Sequence, residues 1–104
     1  MQTSLRGLRE YLNTGKPMFC ELDENPYYCE FWALDELEPF NAEYQVPEYA
    51  SGYFGFASSG GGEMFAISPT GSVVCLPFIG MEPKAAIEIA PTWAVFESQL
   101  RSPL

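Results

Sequence analysis

Apolar residues first recur at Leu5, Leu8 and Leu12, one stripe of a helix. Thr3 or Ser4 can cap its start, and Asn13, Gly15 and Pro17 end it. The pattern then changes. Met18 to Leu22 and Tyr27 to Leu34 read as extended segments, separated by the turn-like Asp23-Glu24-Asn25-Pro26. Asp35, with Glu38 three residues on, has the spacing of a capping box for a short helical turn. Pro39 predicts a kink on the way to Tyr44, and Gln45 to Ser51 reads as a loop containing Pro47.

The middle of the chain is the clearest part. Tyr53 to Ala57 and Glu63 to Ser68 are strand-like and joined by Ser58 to Gly62. Alternation puts Phe65 and Ile67 on one face and Met64 and Ala66 on the other. Pro69 suits the second position of a tight turn and Gly71 a left-handed position after it, so Ser72 to Leu76 returns as the paired strand. Ala85 to Ala90 is a short turn or strand. Pro91 has the place of a first helical residue, opening a last helix with Trp93, Phe96 and Leu100 as its buried stripe. The sum is an α+β fold, a central, mostly antiparallel sheet flanked by N- and C-terminal helices.

Length and composition narrow the picture. The 104 residues form one expected domain, 1–104, and a chain of this size buries roughly two-thirds of its unfolded surface without needing a disulfide or metal. No run of apolar residues is long enough for a membrane span. The N-terminus reaches charge at Arg6, too soon for a secretory leader, so the expected location is cytoplasmic. Cys20, Cys29 and Cys75 make an odd set with no paired spacing and read as buried, reduced thiols.

Charge is the feature that bears most on function. Fourteen acids against five bases give a net charge of −9. Between Lys16 and Lys84 there is no basic residue, while that span holds Glu21, Asp23, Glu24, Glu30, Asp35, Glu36, Glu38, Glu43, Glu48, Glu63 and Glu82. Such a field serves solubility; it also repels nucleic acid and anionic lipid and attracts cationic partners. The expected partner is therefore a protein, with no nucleic acid and no membrane.

Catalytic chemistry finds little purchase. The chain has no histidine, which removes the commonest general base, the usual partner of Ser and Cys nucleophiles and most metal sites. Gly60-Gly61-Gly62 is followed by Glu63 where a phosphate loop needs a lysine, so it reads as a hairpin turn using positive φ. Adjacent carboxylates such as Asp23/Glu24 and Asp35/Glu36 do not converge as an acid–base pair. No cofactor and no metal site are expected.

Several of these segments, in order, resemble one family. Phe31-Trp32-Ala33-Leu34-Asp35-Glu36-Leu37 with Asn41 is similar to the aromatic strand and helical turn of the Smi1/Knr4 (SUKH) superfamily. Phe54-Gly55-Phe56 through Gly60-Gly61-Gly62-Glu63-Met64-Phe65-Ala66-Ile67, then Gly71-Ser72-Val73-Val74, resembles its glycine-rich hairpin and following strand. Ile89 to Phe96 resembles its closing helix, and Glu10 to Gly15 an early helix end. The family's extra leading helix and Leu-Pro step have no counterpart. The resemblance implies helices around a central sheet, no catalytic residues, and an immunity protein that neutralises a polymorphic toxin, often a nuclease. The alternative is an adaptor or regulatory domain that binds another cellular protein, or a small ligand in a pocket lined by Trp32 and Phe56. For capture of a cationic toxin the candidate contacts are Glu21, Asp23, Glu24, Tyr27, Tyr28, Glu43, Glu48 and Tyr49, carboxylates for encounter and tyrosines for anchoring.

Overall fold

Six strands form one sheet in which every neighbour is antiparallel and the spatial order is the chain order. The computed structural model describes residues 1–102. The elements run α1 (Gln2–Asn13), β1 (Phe19–Glu21), β2 (Tyr28–Phe31), α2 (Leu37–Glu43), α3 (Val46–Tyr49), β3 (Phe54–Ser58), β4 (Glu63–Ile67), β5 (Val73–Pro77), β6 (Ile87–Ala90) and α4 (Trp93–Gln99). Short 3₁₀ turns precede α2 and β6. The α+β architecture expected from the sequence, a sheet between an N-terminal and a C-terminal helix, is the one observed.

Alternation along β4 sends Phe65 and Ile67 to one face and Met64 and Ala66 to the other, and all four are fully buried. The central strands are therefore covered on both sides. One face packs on α1 and α4: Phe56 lies 5.8 Å from Phe96 and 5.6 Å from Trp93, ring to ring, and Phe31 stacks 4.6 Å from Tyr11. Gly7 lets the two helices close, since a Cβ there would overlap the Trp93 ring. The opposite face packs on α2, where Trp32 meets Phe40 at 5.1 Å and Tyr44 at 5.9 Å.

Asn41 ties α2 to the sheet. Its Nδ2 donates to the Leu37 and Gly55 carbonyls at 2.7 and 2.8 Å, and its Oδ1 accepts the Gly55 N–H at 2.7 Å. β2 pairs with β3 only as far as Ala57, so the Asn41 side chain stands in for the strand partner that Gly55 lacks on that side. Gly55 also has no room for a Cβ, which would lie 2.7 Å from the Met64 sulfur.

Local expectations fared unevenly at helix ends. Ser4 does not cap α1; it lies inside the helix, and its buried hydroxyl donates to the Gly71 carbonyl at 2.6 Å. The buried line of α1 is Ser4, Leu8 and Tyr11, with Leu5 and Leu12 partly covered beside it. The Asp35/Glu38 box is replaced by Glu36, whose carboxylate accepts the Ala33 N–H at 2.8 Å. Pro39 makes no break because it falls in the first turn of α2, where its missing N–H has no intrahelical partner to lose. Gln45 to Ser51 is not all loop: Gln45 turns at φ 59° and α3 follows, with Pro47 in its first turn and Val46 buried. Pro91 precedes α4 instead of opening it, and Thr92 is the cap, its Oγ1 accepting the Val95 N–H at 3.2 Å. The two glycine turns follow expectation, with φ of 79° at Gly60, 92° at Gly62 and 93° at Gly71.

Candidate functional site

The β1–β2 hairpin sorts its residues by register. Cys20 stands opposite Cys29, and both are buried toward the α1 side, where the Tyr11 hydroxyl lies 3.3 Å from the Cys20 sulfur. The other face of the same two strands carries the cross-strand pairs Phe19–Glu30 and Glu21–Tyr28. Two carboxylates and two rings thus share one open face, with Phe19 45% exposed and its ring 5.8 Å from Tyr28. Desolvation, then the neighbouring Glu30 carboxylate, raises the Tyr28 phenol above its ordinary pKa.

This face continues across the molecule. Tyr28 abuts the glycine turn, where a side chain at Gly60 would lie 3.5 Å from its ring. Phe78 donates its N–H to Gly62 at 3.0 Å, and its ring lies 4.7 Å from Tyr44, which in turn stacks on Trp32. Ile79 beside it is 92% exposed. Phe19, Glu30, Tyr44, Phe78 and Ile79 are the members of this surface that the sequence reading passed over. The alternation of Phe19 with Glu21 and of Tyr28 with Glu30 was the available signal; nothing local marks Tyr44 or Ile79.

The eight expected contact residues do not form one patch. Glu21, Asp23, Glu24, Tyr27 and Tyr28 belong to the hairpin, and Tyr27 is exposed at its turn with a left-handed φ of 68°. Glu43 ends α2 next to Tyr44. Glu48 and Tyr49 lie on α3, which leads into the start of β3, near the Ser68–Gly71 turn. The hairpin turn is at the other end of the strands, beside Gly60. A single partner footprint centred on the hairpin reaches the first five and not Glu48 or Tyr49.

Electrostatically the surface is open. Among the described residues only two ion pairs form, Lys16 with Glu97 at 2.7 Å and Arg101 with Asp23 at 3.2 Å. The remaining carboxylates form no ion pair, although Arg6 and Arg9 line grooves beside α1 that also hold Glu10, Asp35 and Glu38. The cysteines offer no chemistry. All three are free and buried; desolvation holds the Cys29 thiol well above its ordinary pKa, and desolvation followed by Glu63 pushes Cys75 up to about 12. The Cys29 and Cys75 thiols are therefore poor nucleophiles. Among the described residues no three Cys, Asp or Glu side chains come together in a way that could hold a metal ion.

Trp32 and Phe56 do not line a pocket. Phe56 is fully buried among Phe31, Phe65, Trp93 and Phe96, and Trp32 is enclosed by Phe40 and Tyr44 on the opposite side of the sheet. No helix of the described residues is long and apolar enough to cross a membrane. No protein-family model matches the chain, and no curated protein matches it.

Proposed function

We propose that this chain is a non-enzymatic protein-binding module, an immunity protein of Smi1/Knr4 type that captures a basic, nuclease-type toxin domain in the cytoplasm. The observation that carries the reading is the excess of carboxylates without cationic partners, set beside half-exposed rings on the Phe19–Tyr28 face and around Tyr44. Unpaired like charges on a rigid sheet raise the encounter rate with a cationic surface, and tyrosine and phenylalanine anchors then slow dissociation. Buried thiols and the lack of histidine support a role without catalysis.

Co-expression with the cognate toxin domain is expected to restore growth. The association rate should fall about tenfold or more from low to physiological salt, with a smaller change in dissociation. An association rate indifferent to salt would falsify charge capture. Trp32 and Phe56 are core residues, so the small-ligand form of the adaptor alternative would need a groove lined by other side chains. An adaptor for another cellular protein would leave toxin-expressing cells unprotected, and the same growth assay separates the two.

A further inference from the structure

The sheet curls enough to bring its first and last strands to one cleft of about 500 Å³, walled by the β1–β2 turn, β6 and the C-terminal end of α4. The two edges differ in how they are closed. At β1, Glu21 and Arg101 exchange backbone hydrogen bonds of 2.7 and 2.9 Å, so this edge is already paired. Along β6, no backbone group of Ile87 to Ala90 finds a partner outside its ladder with β5 among the described residues. Its apolar side chains are also uncovered: Ile87 is 62% exposed and Ile89 only half-buried, with Leu22 behind them in the cleft.

Resting on the reading of the chain as an acidic binder, we propose that β6 is the docking edge for an extended basic–apolar segment of the partner, which adds to the sheet as a seventh strand. Unpaired N–H and C=O groups give such a strand its backbone bonds, and alternate side chains are read by what they meet. The cleft offers the incoming side chains two kinds of partner, the apolar Ile87, Ile89 and Leu22 and the acidic Asp23, Glu24 and Glu88. Arg101 is the one base of the cleft and is held 3.2 Å from Asp23, so the lining keeps an acidic excess. That charge selects the occupant. A second copy of this chain would bring Glu88 against Glu88 within a protein of net charge −9, whereas a lysine-bearing strand is attracted.

The test uses a fluorescein-labelled peptide, Lys-Val-Lys-Ile-Lys-Val, and a version N-methylated at alternate amides, each titrated into the 15N-labelled protein. The expected result is amide shifts centred on residues 22–25 and 86–90. N-methylation, which preserves side chains and charge, should weaken binding about tenfold or more. The Ile87→Lys/Glu88→Lys protein should weaken it similarly, while Glu38→Lys on α2, outside the cleft, stays within about twofold. Equal affinity of the two peptides, or the lack of any shift along β6, overturns the proposal. Shifts confined to the Phe19–Tyr28 face overturn it while leaving the acidic-binder reading standing, and that reading is judged separately by growth rescue and its salt series.

Discussion

The two faces of the sheet use aromatic residues differently. Beneath α1 and α4, Phe31, Phe56, Phe65, Trp93 and Phe96 are all within 4% of complete burial and contact one another ring to ring. On the opposite face burial grades outward, from Trp32 at 6% to Tyr44 at 39% and then Phe19 at 45% on the outer hairpin. The first face supplies cohesion. The second keeps rings half in water beside Glu21 and Glu30, which form no ion pair, an arrangement that adds little to stability and suits binding. Acids are most frequent on the hairpin, α2 and α3, while Arg6, Arg9 and Lys16 belong to α1 and its exit.

The sharpest way to test that contrast is to truncate one ring on each side. Phe56→Ala should cost about 4 kcal/mol, through lost transfer energy and a cavity among rings with no room to collapse, read from urea midpoints. Tyr44→Ala, on the graded face, should cost about 1 kcal/mol and act chiefly on partner association. Asn41 joins α2 to the sheet. Asn41→Leu strands the Gly55 N–H and carbonyl in a buried site and should cost about 3 kcal/mol, with faster hydrogen exchange along β3.

Alkaline pH probes the closed face through Cys75. The Cys75 thiol titrates at its ordinary value of 9.0 when unfolded and near 12 when folded. Between these values the unfolded chain binds fewer protons, so stability is retained below about pH 9 and declines above it. Cys75→Ala should flatten part of that decline in a denaturation series, whereas an unchanged slope would show the thiol to be accessible. The smallest expected effect is at the hairpin turn. Tyr27→Gly removes an exposed ring from a left-handed residue, so stability should hold or rise by under about 1 kcal/mol while association weakens.

Much of the fold was legible along the chain because its signals are local. Gly60, Gly62 and Gly71 mark turns through the φ values they permit, and β3, β4 and β5 follow from the runs between them. The capping residues were less readable. Ser4, Asp35 and Pro91 each carry the right chemistry for a cap, yet a neighbour or a long-range partner holds the position, as Gly71 does for Ser4. The candidate surface was legible as a composition of acids and tyrosines but not as a patch.

The sequence by itself determined the class of fold, the acidic character and the lack of histidine chemistry, since composition and period need no knowledge of what lies opposite. Only the tertiary structure decided that Trp32 and Phe56 are core residues on opposite sides, that Glu21 and Tyr28 share a face while Glu48 and Tyr49 lie apart, and that β6 keeps an open edge. Those facts depend on strand register and on the curl of the sheet, which bring together residues as distant in the chain as Asp23 and Arg101.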